Sequence, residues 1–211
     1  MTRQCGECQL CCKLLPMKAG QDRITSKTAE VLMESGLAKP AEFDGMLRDF
    51  DKPAGARCPH QRHHKGCGVY ARRPFSCRVW NCRWLAGDDA ADLSRPDRVH
   101  YVIDIMPDVI RVSQEGEPPI DVPAIQVWVD PAYPDAHRDP ALRAWLLRRA
   151  ETEGAVALIR YDERRAFVLM PPTMTADGEW IEARSNLQQM DRDDMLQNPD
   201  QWRPRTAISA T

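Results

Sequence analysis

The sequence predicts an α+β protein: a cysteine-rich N-terminal region with short helices, followed by a small antiparallel sheet with one packed helix. Three observations predict it. All eight cysteines precede residue 83, in two dense runs. Residues 100–172 instead carry β-rich runs around one amphipathic helical segment. A chain of 211 residues with 43% hydrophobic content can bury a core without covalent staples. Composition divides the chain into a cysteine-cluster region over 1–87, a small α+β region over 88–184 packed against it as one domain, and a partly ordered tail over 185–211.

No uninterrupted apolar segment approaches the roughly 20 residues needed to cross a bilayer, and the start MTRQCGEC lacks the apolar core of a signal peptide. The expected location is cytoplasmic, with no membrane partner. In a reducing compartment eight thiols do not persist as disulfides, which turns their meaning toward metal binding or redox chemistry.

The first run, CGECQLCC, holds Cys5, Cys8, Cys11 and Cys12. C-x2-C is the spacing at which a tight turn directs two sulfurs to one ion. On a helix, Cys5, Cys8 and Cys12 would instead share a face and Cys11 would point elsewhere. Two adjacent cysteines do not converge easily on one small ion, so Cys11 and Cys12 are expected to differ in role. Residues 24–50 read as a helical linker, capped by Thr25 or Ser26, stopped at Gly36, and followed beyond Pro40 by a second short helix with Met46, Leu47 and Phe50.

The second run, RCPHQRHHKGCGVYARRPFSCRVWNCRWL over 57–85, holds Cys58, Cys67, Cys77 and Cys82. It has no C-x2-C knuckle, so four zinc ligands from this run alone would be irregular. Pro74 suits the first turn of a helix running to Leu85. On such a helix Cys77 and Cys82, five apart, would lie about 140° apart. Either the helix breaks, or the two belong to different sites. His60, His63 and His64 offer nitrogen ligands, against the plainer reading of solvated loop residues. The simplest arrangement is a metal site shared by both runs.

The net charge is −2, yet residues 57–87 contain seven cations (Arg57, Arg62, Lys65, Arg72, Arg73, Arg78, Arg83) and no acid, leaving −2 − 7 = −9 elsewhere. Such a patch could meet nucleic acid. Internal compensation of thiolates is the stronger reading, because nearby cations stabilise the ionised sulfur that binds metal. Nucleic acid is therefore not an expected partner; the metal ion or cluster is.

The residues CGECQLCC, then Cys58, CGVY and RRPFSC resemble the CxxCxxCC family of zinc- or iron-chelating proteins, also called YkgJ-like cysteine-cluster proteins. Cys5, Cys8, Cys11, Cys12, Cys58, Cys67, Tyr70, Arg73, Pro74 and Cys77 fall on its pattern, over residues 5–85. The resemblance implies a cysteine-bound metal centre, an iron–sulfur cluster or zinc; a flagellin lysine methylase group carries a similar run. Cys82 lies beyond the core pattern, although it completes the set of eight candidate ligands.

Beyond the cysteines, HYVIDIMPDVIRVSQ (100–114) gives two β-rich runs around Met-Pro-Asp, a hairpin signal. AIQVWVD (124–130) is a further strand. DPALRAWLLRRAETEG (139–154) reads as a helix, with Asp139 as cap, Pro140 first, Gly154 as stop and Leu142, Trp145, Leu146 and Ala150 on one face. VALIRYDE and RRAFVLMPP then form a hairpin turning near Asp162–Arg165. Glu151, Glu153, Asp162 and Glu163 read as solvated charges; Trp128, Tyr133 and Trp145 read as core or groove lining. There is no nucleotide loop, nucleophile elbow or HExxH in this part.

Two functional classes follow. One is a metal-binding protein, Fe–S slightly preferred to zinc because cysteines are in surplus and a second knuckle is missing, with a structural, sensing or storage role. The other is an iron–sulfur enzyme in electron or group transfer, for example methylation-like chemistry on protein.

Overall fold

The computed structural model describes residues 3, 5–20, 34, 45–62, 65–105, 108–112 and 118–184. The tail from 185, most of the expected linker over 24–50, and His63 and His64 lie outside these residues. The class is α+β, as expected.

The sheet has six strands: β3 (Tyr101–Ile103), β4 (Asp108–Val112), β5 (Ile120–Val129), β6 (Val156–Arg160), β7 (Ala166–Met170) and β8 (Ile181–Ala183). Its order is β3-β5-β6-β7-β8, with β4 also on β5. Two expectations need correction. The sheet is mixed, since β5 and β6 pair in parallel. The helix α5 (Pro140–Glu153) lies between them in sequence, which is the connection a parallel pair needs.

The runs around Met106 and Pro107 also form no hairpin. Both β3 and β4 pair with β5, Ile103 opposite Val127 and Asp108 opposite Ala124. They are one edge interrupted by an excess of two residues, four (104–107) against two (125–126). The Asp104 N–H still donates to Gln126 O at 2.9 Å.

Helix α5 follows its local signals. The Asp139 carboxylate accepts from Ala141 N–H, Pro140 stands first, and Gly154 closes the helix in the left-handed region at φ 65°. Its buried residues are Leu142, Trp145, Leu146 and Ala150. The β6–β7 turn is held by Asp162 Oδ1, which accepts from the N–H groups of Arg164 and Arg165.

Successive strand residues face opposite ways, and here the alternation divides the molecule into layers. Tyr101, Ile103, Val127 and Val129 join Leu142, Trp145, Leu146 and Phe167 in one apolar cluster. Val102 and Trp128, between them in sequence, join Leu10, Leu14, Cys8 and Cys82 in another. The sheet is thus lined by α5 on one face and by the cysteine-rich segments on the other. No helix among the described residues is long and apolar enough to cross a membrane.

Candidate metal centre

The first cysteine run turns before it coils. Cys8 N–H donates to Cys5 O at 2.9 Å, and Gly6 takes a positive φ of 52°, so CGEC is a tight turn. Helix α1 (Leu10–Leu14) follows and buries Leu10 and Leu14 against the sheet. Cys11 and Cys12 therefore sit on a helix, while Cys5 and Cys8 do not.

The second run is built from equally short pieces. Cys58 leads into β1 (Gln61–Arg62), which pairs with β2 (Gly66–Cys67), Gln61 opposite Cys67. Pro74 is the residue before α2 (Phe75–Val79), one position earlier than expected, and α2 carries Cys77. The helix then breaks. Trp80 is extended at φ −83° and ψ 129°, its indole N–H donating to Asp104 Oδ1 at 2.8 Å. Cys82 becomes the N-cap of a new helix, α3 (Arg83–Ala86), and α4 (Pro96–Val99) follows it before β3.

Four devices hold the runs together. The Gln9 amide donates to Arg62 O and to Gly66 O at 3.0 Å, and its oxygen accepts from Gln61, clamping the β1–β2 ribbon. Gly66, at φ 76°, approaches Gly6 so closely that a Cβ would lie 2.9 Å from Gly6 O. Lys52, only 6% exposed, donates to the carbonyls of Lys13, Pro53 and Ala56 at 3.0–3.2 Å, and its main chain bridges to Met17. The last device is ionic: Lys13 at the end of α1 pairs with buried Asp130 after β5, Nζ to Oδ2 2.6 Å. The second linker helix expected around Met46, Leu47 and Phe50 does not form. Leu47 N–H instead donates to Arg72 O, and the chain reaches the Lys52 bridge without regular secondary structure.

All eight thiols are free. Cys5, Cys8, Cys11 and Cys82 lie in the apolar cluster with Leu10, Leu14, Val102 and Trp128. Cys12 stands within electrostatic reach of Cys58 and Cys77, and Cys67 within reach of the same two. Among the described residues no three His, Cys, Asp or Glu side chains close tightly enough to grip an ion as they stand. The fit therefore rests on the chemistry of the donors, and it is good. Soft sulfurs select zinc, copper(I) or iron–sulfur clusters.

Main-chain N–H groups point at several sulfurs: those of Leu10 and Asp97 at Cys8, of His60 at Cys58, and of Leu85 and Trp84 at Cys82. Such bonds favour the ionised sulfur. Hydrogen bonds from Cys11 and then Cys8 lower the Cys5 thiol to about 3, and the Cys11 thiol likewise lowers Cys12. The donors pay in the opposite direction: Cys8 is raised by its bond to Cys5, and Cys11 by its bonds to Cys12 and Cys5. Burial raises Cys58 and Cys82, and lifts Cys77 to about 12. Protons thus occupy the positions where a bound cation would stabilise thiolates, so metal binding displaces them. Within electrostatic reach of Cys77, Asp49 Oδ1 is buried with no hydrogen-bond donor among the described residues.

The compensating charge differs from the basic stretch expected. Arg73 acts on both Cys5 and Cys12, Lys52 on Cys12, and Arg95 on Cys5. Arg72 is exposed, Arg83 pairs with Asp89, and Arg78 donates to Ala71 O. Lys52, Arg95 and Asp49 were not singled out by sequence; lone charged residues in loops carry no periodic signal. His60 serves through its main chain, and its ring meets Phe50 edge-on at 5.4 Å.

Comparison with curated proteins and with solved structures gave no match. Residues 4–94, which hold all eight cysteines, match the CxxCxxCC family, described as "putative zinc- or iron-chelating domain". Over this cysteine-bearing part the chain is therefore similar to the CxxCxxCC family.

Proposed function

We propose that this chain is a metal-binding protein whose centre is made of cysteine thiolates, holding an iron–sulfur cluster in preference to zinc. Its role is structural, sensing or storage, in a reducing compartment such as the cytoplasm. One observation carries the reading: cysteines 46 residues and more apart in sequence are gathered within electrostatic reach of one another, Cys12 with Cys58 and Cys77, and Cys5 with Cys82. Chance burial of hydrophobic thiols does not account for that, because N–H donors and cations are directed at the sulfurs.

The ligands would be drawn from Cys5, Cys8, Cys11, Cys12, Cys58, Cys67, Cys77 and Cys82. When bound, the metal supplies a soft Lewis-acid or one-electron centre. The protein's own residues do the rest. Leu10, Leu14, Val102 and Trp128 exclude water from Cys8 and Cys82, Lys52 and Arg73 offset thiolate charge, and Asp97, His60, Trp84 and Leu85 orient sulfurs through main-chain N–H groups. The preference for iron over zinc rests on the surplus of thiols over the four a structural zinc takes.

Anaerobic purification, elemental analysis and a visible spectrum test the proposal. The expected result is tightly bound iron, brown colour and bleaching by dithionite. A colourless protein with stoichiometric zinc would replace the cluster with zinc. Less than about half an equivalent of any transition metal, where roughly four ligands are expected per site, would overturn the function.

A further inference from the structure

Strands β5 and β6 run parallel and end side by side, at Val129 and Arg160. Beyond those ends lies a cleft of about 440 Å³ whose lining comes from residues 131–184, apart from the thiols. One wall is the segment 131–137 after β5, and the other is the β6–β7 turn with Tyr161, Arg164 and Arg165. Arg184, next after β8, lies over the Phe167 ring at 4.5 Å and completes it. In open α/β sheets ligands sit outside the carboxyl ends of parallel strands, where the loops diverge and leave a crevice. The β5–α5–β6 connection builds the same local geometry here. The walls are also tied to each other. Tyr161 Oη donates to Pro134 O at 2.9 Å, joining turn to loop. Asp162 Oδ1 accepts from the N–H groups of Arg164 and Arg165 at 2.8 and 2.7 Å, which fixes the turn. A cleft held this way needs little further ordering when it binds.

Its charge is one-sided. Three arginines line the cleft against one carboxylate, that of Asp135. Arg165 pairs with Asp162 and Arg184 with Glu182, both at 2.6 Å, but neither of those acids nor Glu163 lines the cleft. Arg138, close by, is shared between Asp135 and Glu182. Arg164 is exposed, and its guanidinium has no acidic partner among the described residues. We infer that this cleft binds a small molecule with an anionic head, carboxylate or phosphate, and a flat apolar body. Arg164 takes the head, since its planar fork matches two oxygens at once, and Arg165 and Arg184 add positive potential beside it. Tyr161, Pro131 and Pro134 receive the body. The volume falls in the range of small-molecule sites, roughly 300–1,000 Å³. This site is independent of the metal-binding reading and adds a ligand to it.

The test titrates isotope-labelled full-length protein, as purified, with phenyl phosphate, benzoate and neutral benzyl alcohol, and follows amide NMR shifts. Saturable shifts over residues 131–137, 161–167 and 184 with an anion, and none with benzyl alcohol at the same concentration, are expected. Whichever anion binds more tightly identifies the head. Arg164→Gln should weaken that binding roughly tenfold or more, the value of a charge-assisted contact. The turn survives this change, because Asp162 holds it through main-chain N–H groups. Arg148→Gln, on the exposed side of α5 and outside the cleft, should leave binding unchanged. Shifts that do not saturate by about 10 mM anion, or that spread equally to the amides around Arg148, would mean general screening of surface charge and would overturn the site. Equal binding of benzyl alcohol, or an Arg164→Gln chain that binds as tightly as wild type, would overturn it as well.

Discussion

On one face of the sheet, thirteen buried residues from β3, β5, β6, β7, α5 and the segment at Ala90–Leu93 close an apolar core. On the other face, Val102 and Trp128 meet residues of two helices only four and five residues long, α3 and α1. Helices that short do not persist by themselves, since nucleation costs more than one turn returns. The cysteine region is instead held by discrete fastenings, namely the Gln9 clamp, the Gly6–Gly66 contact, buried Lys52 and the Lys13–Asp130 pair. The difference teaches where the stability of each face comes from. One face draws on buried area; the other, in the function proposed here, draws much of its order from metal.

The sharpest way to break that comparison is to remove the metal. Binding to an assembled thiolate site is folding free energy, on the order of 10 kcal/mol or more for structural zinc in small peptides. Chelation should therefore collapse amide protection over residues 5–20 and 45–95 while β5, β6, β7 and α5 stay protected, as read by hydrogen exchange. Loss of both faces together would show that the sheet depends on the centre too.

The reverse experiment attacks the sheet. Trp145, 2% exposed, fills the core and donates its indole N–H to Asp89 O at 3.0 Å. Trp145→Ala should destabilise by roughly 3–5 kcal/mol, lowering the denaturant midpoint while the folded fraction keeps its metal. A metal content that fell in step with stability would couple the faces more tightly than their separate clusters suggest.

Between the two faces stands Lys13–Asp130. Lys13→Met removes the cation and leaves a buried carboxylate with, among the described residues, Ala132 N–H as its donor. The expected cost is roughly 1–3 kcal/mol, together with faster metal loss to chelators, because α1 carries Cys11 and Cys12. Unchanged chelation kinetics would mean that the other three fastenings suffice.

The same contrast explains what could be read from sequence. Helix α5 and the β6–β7 hairpin were legible because Asp139, Pro140, Gly154 and Asp162 act locally, through their own neighbours. Trp128 and Trp145 were read correctly as lining or core, whereas Tyr133 is half exposed, stacked on His100 with centroids 3.5 Å apart. The parallel β5–β6 pair and the interrupted β3–β4 edge were not legible, since register depends on a partner strand that the segment itself does not specify. In the cysteine region, spacing exposed all eight thiols and the alternative of a helix break. Lys52, Asp49, Arg95 and Gln9 stayed hidden. Each reaches a partner at least 27 residues away, and a single charged or amide side chain leaves no pattern.

The smallest expected effect concerns the far side of the sheet. His137, 1% exposed, sets Nδ1 2.9 Å from Pro134 O and Nε2 3.0 Å from Glu182 Oε1, so acceptors face both ring nitrogens. The hydrogen bond from His137, followed by that from Arg184, lowers the Glu182 carboxyl from 4.5 to about 2. Its folded value lies below its unfolded value, so the unfolded chain takes up the proton first as pH falls. The stabilisation by Glu182 is therefore complete above about pH 4.5 and fades as pH drops toward 2. Acid also strips metal from thiolates, so the informative quantity is the difference between wild type and Glu182→Gln at each pH. Denaturant unfolding should show the variant less stable at pH 6, with the gap narrowing below pH 4.5 and closing near pH 2. A gap that stayed constant across that window would mean that Glu182 acts through packing and not through its charge, and β8 would then be held to β7 by its main-chain ladder and apolar contacts.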